Sequence, residues 1–266
     1  MRQPRGWAKA KCRDAAAWLR RAATGGRLRS VNPSVNPSVT YIYLHNRVPA
    51  LTYRFTVEQF GRLADAGILV WGDSTELMDG QIATQGVPRR FTVEEFERMG
   101  EVGILREDER VELLNGEIIH MSPIGYRHLQ AVTLLADVFT LAAAGRYKVS
   151  TQNPIELFGN LKPQPDIVLL KPEVLRKPRL PRPADIFLLV EVADSSFEYD
   201  HASKLPEYAK AEIAEYWIVN LLDDVIEIYR RPSFDHYEEM LTVRRGESAF
   251  CAAFPELAVP VSEVIP

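Results

Sequence analysis

Asp166, Glu191 and Lys204 are the residues of this chain whose types and spacing could do chemistry. Asp166 follows Pro165 and opens the apolar run Ile167-Val168-Leu169-Leu170. A second run, Ile186-Phe187-Leu188-Leu189-Val190, leads into Glu191 and Val192. Runs of this length and branching read as buried strands. A carboxylate at a strand end reaches water and costs little. A carboxylate inside a run, as Glu191 is, costs several kcal/mol unless something pairs it. A divalent cation shared with Asp166 would do so, since Mg2+ takes one or two carboxylates together with water and substrate phosphate oxygens. Lys204, thirteen positions after Glu191, supplies the basic group that such a site still needs. Pro-Asp, then Glu, then Lys is the raw material of a metal-dependent nuclease.

These residues need strands and helices to hold them. Residues 125–144 are mostly apolar and end at Gly145, which predicts a helix buried on several sides. Strands are predicted near Lys148–Thr151 and Ile155–Leu157, followed by the two acid-bearing runs. Between those runs lies a Pro-rich loop, 171–183, with five basic residues, read as a solvated connection rather than a DNA contact. A helix is predicted over roughly Ser203–Ile213, and strands over Tyr216–Leu221, Val225–Arg230 and Tyr237–Val243. The tail from Ser248 is expected to complete the sheet or cover its edge. The order implies an α/β (α+β) domain, a mixed sheet with helices on its faces.

Ahead of this domain is an internal repeat. Residues 54–82 and 90–118 align at an offset of 36 with 14 of 29 positions identical. Thr56 and Thr92 are N-caps, and Asp79-Gly80 and Asn115-Gly116 are hairpin turns, so each copy reads as a helix followed by a hairpin. The chain thus divides into a basic arm and Pro/Ser linker (1–39), a degenerate repeat copy (40–88) and a nuclease-like domain (89–266). The first copy is expected to pack on the nuclease core or on a second subunit, burying Phe55, Phe60 and Leu63. A homodimer is one arrangement this allows.

Residues 1–30 hold nine Lys/Arg and one acid, giving +8, whereas the whole chain carries -4 and the remainder therefore -12. A tethered cationic arm ahead of an acidic body would raise the local attraction for phosphate without reading sequence. Cys12 and Cys251 fit no metal or redox spacing, which points to a reducing, cytoplasmic setting. No apolar run is long enough for a membrane span. No G-x-S-x-G, P-loop, H-E-x-x-H or C-x-x-C occurs, which removes the commonest alternative chemistries.

The ordered words of residues 90–266 resemble the Uma-two family of restriction-endonuclease relatives, within the PD-(D/E)XK nuclease superfamily. They are Phe91-Thr92-Val93-Glu94-Glu95-Phe96, Glu112-Leu113 with Asn115-Gly116-Glu117-Ile118, Met121-Ser122-Pro123 before His128, Pro165-Asp166, Glu191-Val192, Lys204 ahead of Tyr208, and Glu215-Tyr216-Trp217-Ile218-Val219. The resemblance implies a restriction-endonuclease-like fold, with Mg2+ or Mn2+ on Asp166 and Glu191 and DNA as partner. The superfamily lysine usually stands two residues after the second acid, where this chain has Ala193, and maps here to Lys204. Asn220 stands where the family often has Asp.

The repeat ranks the remaining acids. Glu112 is retained in the first copy as Glu76, which lacks Pro-Asp, Glu and Lys, and so reads as structural. Glu117 becomes Gln81 there and reads as a third acidic site residue. His128 has no counterpart in the first copy and is taken as a site residue, whereas Tyr208 reads as core. The expected activity is metal-dependent endonucleolytic hydrolysis of DNA phosphodiesters. The alternatives are a catalytically silent nucleic-acid-binding or regulatory protein on the same fold, and a hydrolase of another phosphodiester. The position of the Lys204 ammonium relative to the two carboxylates discriminates the silent form.

Overall fold

A computed structural model describes residues 51–70, 74–194 and 196–266. The basic arm and linker, and residues 40–50 of the segment assigned to the first copy, lie outside the described residues. Strand β1 (Leu51–Thr52) leads into helix α1 (Val57–Asp65), then the antiparallel strands β2 (Thr75–Met78), β3 (Gln81–Thr84) and β4 (Val87–Pro88). Helix α2 (Val93–Glu101) precedes the hairpin of β5 (Val111–Leu114) and β6 (Glu117–His120), which β1 joins along β6. Both helices start with a capping box, Thr56 with Gln59 and Thr92 with Glu95, so orphan N–H groups at each helix start are satisfied locally.

Each hairpin turn is tied to the residue before its helix in the same way. The Phe55 N–H donates to Gly80 O and the Phe91 N–H to Gly116 O, both at 2.8 Å. Phe55, Leu63, Phe91 and Met99 are buried in one cluster with Leu113 and Ile118, and Phe60 packs against it. The first segment therefore rests on the second, and hydrogen bonds cross between them. Gln59 Nε2 donates to Ile104 O at 3.0 Å, and Arg89 donates to Ile68 O at 2.9 Å.

The close turn contact makes a stability prediction. Gly116 has φ +74°, and a Cβ there would lie 2.8 Å from Arg90 Cβ and 3.0 Å from the Phe91 backbone N and O. Gly145 has φ +82° but no neighbour within 4 Å. Gly116→Ala is expected to cost about 2–3 kcal/mol and Gly145→Ala about 1 kcal/mol in urea unfolding, because only the first adds a backbone clash to the unfavourable φ. Equal costs would contradict the contact.

The main sheet begins after helix α3 (Tyr126–Ala143). Its strands are β7 (Lys148–Thr151), β8 (Ile167–Leu170) and β9 (Ile186–Ala193), then β10 (Glu215–Asn220), β11 (Val225–Ser233) and β12 (His236–Arg244). Between β9 and β10 the chain forms a short α4 (Phe197–Tyr199), a π-helical turn (Asp200–Lys204) and α5 (Leu205–Lys210). A ribbon of β13 (Ser248–Cys251) and β14 (Phe254–Pro260) and a last helix α6 (Val261–Val264) follow. The order across the sheet is β12-β11-β10-β9-β8-β7, with β9 and β10 parallel and all other neighbours antiparallel.

Helix α3, the β13–β14 ribbon and α6 cover one face through Leu135, Phe139, Val259 and Val264, packed in one cluster with Trp217 of β10. Helix α5 covers the other through Leu205 and Tyr208, with Ile155 and Val174. Cover on both faces explains why β8, β9 and β10 read as apolar runs without alternation.

Two sequence expectations shift. Ile155–Leu157 is not a strand. Its three N–H groups bond Pro163 O, Pro181 O and Leu161 O instead, and the flanking prolines 154, 163 and 165 cannot return N–H donors to a ladder. The helix after β9 starts at Phe197 rather than near Ser203, because the π-helical turn widens the ladder just before Pro206, which has no N–H. The basic loop is turned inward in part. Lys177 and Arg179 reach the buried Asp185 carboxylate at 2.9 and 2.7 Å, and Arg182 pairs with Glu156. The Arg179 guanidinium, followed by Lys177 and the Arg182 N–H, holds the Asp185 carboxyl far below the usual carboxylate range.

Candidate active site

Strand register brings the two acids together. Ile167 pairs with Val190 in the antiparallel β8–β9 ladder, which sets Asp166 across from Glu191. The Val192 N–H donates to Asp166 Oδ2 at 2.9 Å. Gln152 Nε2 donates to Oδ1 at 3.2 Å, and His128 Nε2, from the first turns of α3, lies 2.9 Å from the same oxygen. Burial raises the Asp166 carboxyl, but these three donors together, His128 foremost, hold it below its ordinary value. Asp166 is thereby fixed as an oriented carboxylate.

Glu191 is 3% exposed. Its Oε1 accepts from the Lys204 ammonium at 3.2 Å and from Tyr208 Oη at 2.7 Å. Lys204 and Tyr208 stand four apart, so both face the sheet from one side of the helical segment. Lys204 Nζ also lies 3.3 Å from Glu112 Oε1 and 3.5 Å from Asp200 Oδ1. The π-helical turn matters here, because both of its ends, Asp200 and Lys204, are buried. Burial pushes Glu191 well above the usual carboxylate range, Lys204 opposes this, and Asp200, Asp166 and Glu112 add to it. Burial likewise raises Asp200 to about 6 against the pull of Lys204. Burial lowers the Lys204 ammonium, but Glu112, Glu191 and Asp200 outweigh it and keep the group charged.

These groups line a cavity of about 270 Å³ whose wall includes Glu112, His120, His128, Asp166, Glu191, Asp194, Asp200 and Lys204. Asp166, Glu191, Lys204 and His128 are thus brought together. Glu117 is not. It sits across from Leu114 at the turn end of its hairpin and pairs with Arg90. Glu112, at the opposite end of that hairpin, enters the site instead, its second oxygen accepting from the Gln164 N–H at 3.3 Å. The repeat misled on this point because residue type does not carry environment. Glu76 is exposed on β2, whereas Glu112 is 2% exposed. Tyr208, read as core, is buried in the core cluster under α5 and also donates its hydroxyl to Glu191. Asp200 gave no sequence signal apart from standing four residues before Lys204. Asn220 accepts from the Leu222 and Asp223 N–H groups and shapes the β10–β11 turn.

Asp166 and Glu191 offer carboxylate oxygens of the kind a hard divalent cation takes, although among the described residues no group of three or more His, Cys, Asp or Glu side chains is placed to hold a metal ion. Asp166 uses three of its roughly four lone-pair sites on donors, leaving one. Glu191 Oε2 has no donor among the described residues. The His120 and His128 imidazoles line the same wall, and three buried carboxylates, Glu112, Glu191 and Asp200, share the one Lys204 ammonium, an imbalance that a cation offsets.

A mixed sheet flanked by helices, with Asp, Glu and Lys converging beside it, defines a restriction-endonuclease-like fold. The sequence matches the family model "Uma2: Putative restriction endonuclease" over residues 93–262, more than half of the chain, and the chain belongs to that family. Among solved structures it is similar to "a putative nuclease belonging to DUF820" from Anabaena variabilis ATCC 29413. That match has a TM-score of 0.52 at 15% identity and covers 66% of this chain and 97% of the other. At that identity the likeness is one of fold. The type IIG restriction endonuclease BpuSI also matches at 15% identity, over 41% of this chain and 12% of its own, but a TM-score of 0.29 carries no argument. No curated protein matches the sequence. Among the described residues no helix is long and apolar enough to cross a membrane.

Proposed function

We propose that the protein is a metal-dependent endodeoxyribonuclease that hydrolyses DNA phosphodiester bonds. The observation that carries this reading is the convergence of Asp166, Glu191 and Lys204 on one cavity, with the Lys204 ammonium 3.2 Å from Glu191. Asp166 and Glu191 would hold Mg2+, with Mn2+ as a substitute. When bound, the cation polarises the scissile phosphate and lowers the pKa of the attacking water. His128, Gln152 and the Val192 N–H keep Asp166 ionised and aimed. Lys204, held charged by three acids, orients the water or stabilises charge developing on the phosphate. Tyr208 fixes the Glu191 carboxylate from behind. The proximity of Lys204 to Glu191 favours an active enzyme over a silent binding protein on the same fold.

The test is conversion of supercoiled plasmid to nicked or linear DNA. Cleavage is expected with Mg2+ or Mn2+ and is expected to stop when EDTA removes the metal. DNA binding without cleavage under any divalent cation would leave only the silent reading.

A further inference from the structure

Arg110 stands apart from the other charged groups of the cavity. It lines the same wall as five carboxylates, Glu112, Asp166, Glu191, Asp194 and Asp200. Among the described residues it forms an ion pair with none of them. Among the described residues its guanidinium makes one hydrogen bond, from Nη1 to Ser122 O at 2.9 Å, and its carbonyl accepts from the Met121 N–H at 2.9 Å. Arg110 is therefore pinned, half-buried, beside the Met121–Gly125 stretch that forms another part of the cavity wall. The remaining N–H donors of its planar fork have no partner among the described residues. The other cation of the wall, Lys204, is buried and occupied by Glu112, Glu191 and Asp200. At the aligned position of the first repeat the residue is Ser74.

We propose that Arg110 binds a backbone phosphate of the nucleic acid next to the scissile one. The inference rests on the nuclease reading for what that substrate is. A cavity lined by five carboxylates repels a polyanion, so an uncommitted guanidinium at its wall is the group able to draw a phosphate in. Arginine suits the task because its fork meets two phosphate oxygens at once. Arg110 does not touch the reacting atoms in this scheme. It is a substrate-binding residue that sets where the chain lies over Asp166 and Glu191.

The test uses the full chain and a short fluorescein-labelled DNA duplex, with Ca2+ in place of Mg2+ for binding and Mg2+ for turnover. Arg110→Gln keeps a donor for Ser122 O and removes the charge, and Arg110→Lys keeps the charge and loses the fork. Arg98→Ala, on the exposed face of α2 and paired with Glu101, controls for loss of a surface charge. Arg110→Gln is expected to weaken binding roughly tenfold, raise KM by a similar factor and leave kcat within about threefold. The slope of log affinity against log salt is expected to flatten by about one unit, and Arg110→Lys is expected to restore the slope but only part of the affinity. Arg98→Ala is expected to resemble wild type. Unchanged affinity and slope in Arg110→Gln overturns the proposal, as does a loss confined to kcat. Wild-type protein that binds the duplex without cleaving it fails the nuclease reading and leaves the Arg110 result to be judged on the salt slope alone. Wild-type protein that does not bind DNA overturns both.

Discussion

Asp166→Ala is expected to lower plasmid cleavage roughly a thousandfold or more while leaving the fold intact. A bound divalent cation supplies several kcal/mol of transition-state stabilisation, and each 1.4 kcal/mol is about tenfold in rate. Removing Asp166 takes away one of the two proposed ligands and the acceptor on which His128, Gln152 and the Val192 N–H converge. His128→Ala is expected to be milder, about 10–100-fold, because it leaves the ligand in place and removes only its orienting partner. Initial rates across a range of Mg2+ concentrations separate the two. Excess Mg2+ is expected to recover part of the His128→Ala rate and almost none of the Asp166→Ala rate. Equal losses in the two variants, both rescued by Mg2+, would make Asp166 a positioning residue rather than a ligand.

Lys204→Met is expected to produce the largest loss of stability, about 3–5 kcal/mol by urea unfolding near neutral pH. Methionine fills similar volume, but Glu112, Glu191 and Asp200 are left buried without their shared cation. The loss depends on pH in a defined direction. Asp200, in the wild-type fold, titrates at about 6, and Glu191 is raised well above its ordinary value, so both bind protons more readily folded than unfolded. A carboxyl raised on folding adds stability as the pH falls and withdraws it as the pH rises through the folded value. Without Lys204 these values rise further, so the variant fold takes up protons at higher pH than the wild type, and the deficit of Lys204→Met is expected to narrow as the pH falls toward about 6. A loss under about 1 kcal/mol, independent of pH, would mean that the ammonium is solvated as a surface pair would be. Cleavage by Lys204→Met is expected to be lost even where the protein is folded.

Much of this site was legible because burial leaves a mark on sequence. A carboxylate inside Ile186–Val192 is conspicuous, and so is Pro-Asp before Ile167–Leu170, since apolar runs in a sheet covered on both faces admit a charge only where it is paired. Antiparallel register then did the rest for Asp166 and Glu191. Lys204 and His128 became visible through family resemblance and through the repeat, not through periodicity. Glu112 and Asp200 stayed hidden for a different reason. Their role comes from tertiary placement, one by the far end of a hairpin and one by a π-helical turn, and neither has a pattern that local propensity can read. Glu117 was overvalued because difference between repeat copies was equated with function. Its partner, Arg90, belongs to the turn contact that both copies share.

The central claim is that Asp166 and Glu191 share one divalent cation, and the most direct measurement is Mn2+ binding by electron paramagnetic resonance on the full chain. Wild-type protein is expected to bind one Mn2+ with ordinary site affinity, competed by Mg2+. Asp166→Ala and Glu191→Gln are each expected to weaken that binding by a factor of ten or more, on the order of one lost carboxylate ligand, while Arg110→Gln leaves it unchanged. Mn2+ bound with wild-type affinity and stoichiometry in both carboxylate variants would contradict the claim.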